Sequence, residues 1–242
     1  MNKLVAYVLA FLTVIAFIVF IVLRQSGSFN LLAYAEYESL ILTGLSNTIL
    51  VSMGALFGSL FLGFIFYLFS ISKVKYLNAM TDVIREIIYG TPLLVLVVIT
   101  AFVIGPAFGT YQRNALGIGA LIIYMTPYMM NVYQSAFSSI SQEQYMAMDL
   151  FGFTPFQRYR YIIIPQVVRI LMPPMMNNFS MIIKGSALLN VLMFEELYYA
   201  IFIAQSRTFA FVEGYLILWI LYLVITIPLS QLAKWVERKW SL

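Results

Sequence analysis

Residues 141–165 read Ser141-Gln-Glu-Gln-Tyr-Met-Ala-Met-Asp-Leu-Phe-Gly-Phe-Thr-Pro-Phe-Gln-Arg-Tyr-Arg-Tyr-Ile-Ile-Ile-Pro165. They open the one long hydrophilic stretch between apolar ones, 141–169, and have the marks of two short helices set end to end. Residues 142–151 are good helix formers and stop at Gly152, a residue that takes the positive φ of a helix C-cap without penalty. Thr154 then stands where an N-cap belongs, with Pro155 at the first helical position and Gln157 three after the cap. The pattern predicts a compact elbow.

What surrounds the elbow is strongly apolar. Of 242 residues, 62% are apolar and 10% charged, with a mean hydropathy of +0.92. Soluble domains average about 45–50% apolar and about 25% charged, so soluble, disordered and fibrous classes are excluded. A bilayer core asks for about 20 apolar residues per helix. Charge-free runs therefore place six spans, at 4–23, 42–70, 87–107, 115–139, 186–206 and 213–233. The segment 165–184 is apolar but holds Pro165, Pro173, Pro174, Asn177 and Asn178, which predicts a broken or interfacial helix buried against protein.

Lysine and arginine set the orientation. With the amino terminus inside, Lys3, Lys73, Lys75, Arg85, Arg158, Arg160, Arg169, Lys234, Arg238 and Lys239 are cytoplasmic, against Arg24, Arg113 and Arg207 outside. Lys184 is left at a span boundary. That bias puts both termini and the elbow in the cytoplasm. A basic start before an apolar run also fits a cleaved leader. The length of the run and the absence of a small-residue site in Arg24-Gln25-Ser26-Gly27 favour a retained anchor.

Chemistry is scarce. The chain has no cysteine and no histidine, so disulfides, thiolate metal sites and the commonest general base are absent. No G-x-x-x-x-G-K-[ST] occurs, and Lys184-Gly185-Ser186 follows no glycine-rich loop. The chain is therefore not expected to be an enzyme, and energy must come from a partner. A net charge of +4 reflects loop bias, not nucleic-acid binding.

The loop resembles the EAA loop of ABC importer permeases, with Gln144, Met146-Ala147-Met148, Gly152 and Ile162-Ile163-Ile164-Pro165 at the family's Gln, Glu-Ala-Ala, Gly and Ile-x-Leu-Pro places. The resemblance is closest to the polar amino-acid permeases of the histidine, glutamine and arginine type. Other segments match in order: Asn47-Thr48-Ile49; Glu86 and Gly90-Thr91-Pro92-Leu93-Leu94; Pro165-Gln166-Val167-Val168-Arg169 with Pro173 and Asn177; Lys184-Gly185-Ser186-Ala187-Leu188; and Glu196-Leu197. Together they cover about residues 43–240. Three charges of the family pattern are missing. Its loop Glu is Met146, with Glu143 nearby; its Arg before Gly-Thr-Pro is Tyr89; and its Tyr-x-x-Glu reads Tyr128-Met-Met-Asn131, followed by Gln134.

The resemblance implies an all-α integral membrane fold of the MetI-like ABC importer type, a five-helix core plus one N-terminal anchor helix. Residues 1–38 would be the anchor span and external loop, and 39–242 the permease core with coupling loop 141–165. The implied function is an ATP-driven importer of polar, particularly basic, amino acids in a prokaryotic inner membrane. The implied partners are an ABC ATPase dimer carrying ATP and Mg, a second permease (identical or related), an external solute-binding protein, the amino acid and membrane lipid. Gln144, Tyr145, Ala147, Gly152, Phe153, Pro155 and Pro165 would form the ATPase-coupling loop, with Tyr145, Phe151, Phe153 and Phe156 as apolar anchors. Packing against the chain's own spans is the other use of those aromatics.

Polar groups inside spans are costly in lipid and so are functional candidates. Lys184, Ser186, Glu195 and Glu196 are the candidate substrate path, the Glu pair read as lying mid-helix and suited either to a cationic substrate or, equally, to hydrogen bonding between helices or subunits. Asn131 and Gln134 fit hydrogen bonding between helices. A secondary transporter or channel, or a scaffold retaining the permease fold, are the alternatives.

Overall fold

The computed structural model describes residues 2–25 and 29–240, which form helices and no strand. Helix α1 (Lys3–Gln25) is apolar on every side, and none of its described side chains is buried. A 3-10 turn, Leu31–Tyr37, leads into α2 (Glu38–Ser70), the axis of the bundle. Along one edge of α2 the buried residues Gly44, Thr48, Ser52, Ala55, Ser59 and Gly63 repeat every three or four positions. Small residues at that spacing let helix backbones close on one another. A Cβ on Gly63 would stand 2.6 Å from the Met129 Cβ and 3.1 Å from the Met130 backbone nitrogen. The Gly63 end of this edge seats α6 (Arg113–Ser138), the principal neighbour of α2, while Gly44 and Thr48 meet the segment 196–200.

Between them run α3 (Lys75–Gly90), α4 (Leu93–Ile99), a π turn (Thr100–Ile104) and the single turn α5 (Gly105–Ala107). The chain turns through 109° between α3 and α4. Proline disfavours helical backbone in the residue before it, and Thr91 is extended, at φ −103° and ψ 121°. The expected span 87–107 therefore starts at Leu93, and 87–90 close α3.

The second half holds α7 (Gln142–Leu150), α8 (Pro155–Gln157), a π turn (Arg158–Ile163), α9 (Ile164–Ser186), a 3-10 turn (Ala187–Leu192), α10 (Leu197–Thr208) and α11 (Phe211–Trp240). Two expectations fail here. The proline-rich 165–184 is neither broken nor interfacial; Pro173 and Pro174 lie inside α9, which packs on α2, α6 and α11. Away from bulk water, neighbouring helices hold a proline-interrupted ladder together that water would open. The fifth candidate span is a bent one, α9 and the 3-10 turn followed after a 50° bend by the short α10, and the expected 186–206 forms its second part. Counting each bent pair once gives six spanning pieces, by length and composition. Four helices are long and apolar enough singly, so the expected six is reached only by counting both bent pairs.

The core lies where α2, α4, α6 and α9 meet, on Val51, Ala55, Val97, Leu121, Met125, Met129 and Ile182. A second cluster of Ala136, Ile140, Met148, Ile163 and Val167 fastens the elbow to the bundle.

Candidate coupling elbow and polar membrane face

The elbow is held by local bonds at each joint. The Ser141 hydroxyl caps α7 by accepting from the Gln144 backbone N–H at 3.3 Å. Gly152 sits at φ 68°, where an L side chain is strained. Thr154 and Gln157 complete the capping box: the Thr154 N–H donates to Gln157 Oε1 at 2.9 Å, and the Gln157 N–H to Thr154 Oγ1 at 3.4 Å. Sequence reasoning missed Arg158, whose guanidinium pairs with Asp149 at 2.5 Å and donates to the Phe153 carbonyl at 2.9 Å. That arginine ties α7 to the turn leading into α9. Its signal was available in the opposite charges flanking Gly152, but a loop arginine reads first as a topology marker.

The aromatic anchors divide between two roles. Phe151 is 81% exposed and Phe156 72% exposed, joined by Leu150 at 88%. Met146, at the place of the family's Glu, is also exposed. Tyr145 and Phe153 instead pack on the second core cluster. Burial, with the Tyr159 phenol as a lesser cause, pushes the Tyr145 phenol above its ordinary pKa. Gln144 and Ala147 are exposed on α7, Pro155 opens α8, and Pro165 lies in the first turn of α9.

Of the substrate-path candidates, Ser186 and Glu196 meet at the Tyr222 hydroxyl, while Lys184 and Glu195 lie apart from them. Glu195 and Glu196 lie at the break before α10, not mid-helix. Glu196 is wholly buried as the N-cap of α10, accepting from the Tyr198 N–H at 2.9 Å, the Tyr199 N–H at 2.8 Å and the Tyr222 hydroxyl at 3.1 Å. Asn47 donates to the backbone carbonyl of Glu195 at 2.7 Å, and the Leu197 N–H donates to Thr48 Oγ1 at 3.0 Å. The break is thus pinned to α2. The Glu195 side chain is exposed. Ser186 is buried, its hydroxyl donating to the Ile183 carbonyl at 2.8 Å. Lys184 is exposed on α9.

Lys184 belongs to a polar flank that no single motif announced. It borders a cavity of about 270 Å³ with Leu93, Leu121, Tyr124, Met125 and Met181. From there a file of phenols descends toward the elbow end. The Tyr124 and Tyr128 rings lie 5.6 Å apart and those of Tyr128 and Tyr89 5.1 Å, and Asn131 donates to the Tyr89 hydroxyl at 2.7 Å. Tyr89 and Asn131 occupy the places of the family's Arg and Glu, so two of the missing charges face each other as a neutral pair. Gln134 continues the exposed polar edge of α6.

Comparison with known proteins agrees with this arrangement. The family described as binding-protein-dependent transport system inner membrane component matches residues 59–242. The probable glutamine ABC transporter permease protein GlnM of Bacillus subtilis is 30% identical over 201 residues, covering 83% of this chain and 93% of that protein. The histidine/lysine/arginine/ornithine transport system permease protein HisQ of Escherichia coli is 26% identical over 64% of this chain and 73% of its own. Among solved structures, the crystal structure of an amino acid ABC transporter with histidines superposes with a TM-score of 0.79 at 28% identity, over 87% of this chain and 98% of that one. The MetNI methionine ABC transporter in an inward-facing conformation shares the fold, at a TM-score of 0.64 and 16% identity. With the elbow, the bundle and the match over residues 59–242 in agreement, the chain belongs to the binding-protein-dependent transport system inner membrane components, the permeases of ABC transporters.

Proposed function

We propose that this chain is the permease of an ATP-driven importer of polar amino acids. In this reading a pair of ABC ATPases binds ATP and Mg and docks on the elbow. A second permease, identical or related, covers the polar flank, and an external solute-binding protein delivers the amino acid. The membrane is a prokaryotic inner membrane with both termini cytoplasmic, in line with the Lys/Arg bias of the loops.

The observation that carries the reading is the rigid elbow with Leu150, Phe151 and Phe156 turned outward. Large apolar side chains on a braced polar loop are the makings of a protein-docking anchor. ATP-driven closure of the ATPases must favour one state of the permease over the other, and the elbow would carry that difference inward. Lipid contact would make the exposed Asn131, Gln134 and Lys184 costly, which supports a water-filled path and a second subunit on that flank. The names of the relatives point to polar amino acids. A preference for basic ones now rests on Glu195, because Glu196 is spent on the cap of α10.

Gly152→Asp tests the coupling. It strains the joint and puts a charge beside the anchors, so the expected result is normal membrane abundance with ATPase co-purification or ATP-dependent uptake lost. Full uptake with full co-purification would remove the elbow from the mechanism. Gradient-driven uptake without the ATPases would make the protein a secondary carrier. Bound partners without uptake in the native complex would make it a scaffold.

A further inference from the structure

Lys184 is the one charge in a long apolar stretch of α9 and the turn after it. Residues 170–183 and 185–194 carry no charge. It is exposed, and none of the ion pairs among the described residues includes it. Besides the apolar cavity shared with α4 and α6, it borders a second cavity of about 310 Å³ between α9 and α11. The other polar residues there are Ser180, Thr226, Ser230, Gln231 and Lys234. On α11, Thr226, Ser230 and Lys234 follow at four-residue spacing, so a single face supplies them. No carboxylate borders either cavity.

Two lysines around one small space repel each other, and lipid makes an unpaired cation more costly still. Both costs fall if an anion occupies the cavity. Hydroxyl, amide and ammonium groups supply the hydrogen-bond donors a carboxylate accepts. Resting on the importer reading, we propose that Lys184 receives the α-carboxylate of the amino acid in transit, with Lys234 and the α11 hydroxyls completing the seat. The apolar cavity beside Leu93 and Met181 then lies on the other side of Lys184, open to the rest of the substrate. The carboxylate is common to all amino acids, so this seat recognises the class and leaves selection among side chains to other groups.

The test uses the purified complex of permeases and ATPases without the solute-binding protein, which would itself recognise the substrate. Equilibrium binding of labelled arginine and labelled glutamine is measured, with argininamide and glutamine amide as competitors that lack the carboxylate. The native complex should bind at least one free amino acid, and the matching amide should compete poorly. Lys184→Gln should weaken binding about tenfold or more, the loss of a charge-assisted hydrogen bond, while Lys184→Arg keeps most of it. Lys184→Gln should assemble at native yield, shown by ATPase co-purification.

Unchanged binding in an assembled Lys184→Gln complex overturns the proposal, as does equal competition by the amides or no amino-acid binding by the native complex. Co-purified anionic phospholipid that is lost in Lys184→Gln, without any effect on amino-acid binding, reassigns the seat to a lipid headgroup. The importer reading has a separate test, since it fails only if the native complex with its binding protein shows no ATP-dependent uptake.

Discussion

Along α2 from residue 49 to residue 69 no exposed side chain is polar: Leu50, Met53, Phe57, Phe61, Phe64 and Leu68 line that flank. On the opposite flank, formed by α6, α9 and α11, the exposed side chains include Asn131, Gln134, Ser135, Lys184 and Gln231. Both sets belong to spans that hydropathy alone would treat alike. What separates them is the neighbour each must meet. Lipid tails accept the first flank as it is, whereas the second needs protein or water against it. The two flanks thus ask for different surroundings, hydrocarbon for one and polar partners for the other.

Placing the same charge on each flank should give the largest effect. A lysine at a helix centre facing lipid costs about 2.5–3.5 kcal/mol, so Phe57→Lys is expected to deplete the chain from the membrane. Gln134→Lys, on the polar flank, should leave membrane abundance near native. Quantitative blotting of membrane fractions reads both, and equal losses would erase the distinction between the flanks.

A smaller effect is expected where the flanks are joined. Gly63→Val puts a branched side chain against the Met129 Cβ and the Met130 backbone, neither of which can move aside without moving α6. Overpacking of this kind costs about 1–3 kcal/mol. Thermal unfolding in detergent should shift downward by several degrees, and an unshifted transition would mean that α2 and α6 are less closely seated than described.

Subtler still is the Tyr89–Asn131 bond on the polar flank. Tyr89→Arg or Asn131→Glu alone leaves a charge facing a neutral partner, and each should lower uptake. The double substitution restores the family's charged pair and should recover most of it, a coupling of about 1 kcal/mol. Additive losses would show that the two side chains act independently.

The sequence made the elbow legible to the residue because its signals are local. Ser141, Gly152, Thr154-Pro155 and Gln157 fix caps and a joint within their own neighbourhood, and the structure has them in those roles. The long apolar helices were readable for the same kind of reason, since charge-free length is a property of one segment. Placement of the fifth span failed because the rule applied to Pro173 and Pro174 belongs to helices in water, while α9 is held by α2, α6 and α11. Glu196 was misplaced for a tertiary reason. Its function as a cap depends on a break pinned by Asn47 and Thr48, some 150 positions earlier in the chain. The small-residue edge from Gly44 to Gly63 was present in the spacing, hidden inside a run read only for its lack of charge. Convergence of Lys184 with Thr226, Ser230 and Lys234 has no sequence signature, because only the packing of α9 on α11 creates it.

From Pro155 through Leu192 the chain is helical without a break, passing through the π turn and α9. The joint nearest the exposed anchors and Lys184 are therefore parts of one continuous helical segment, with Lys184 about 30 Å from the start of α9. On the proposed function, a displacement imposed at the elbow would travel toward Lys184 along this continuous helix, with the π turn and Pro173-Pro174 as the places where it could bend on the way.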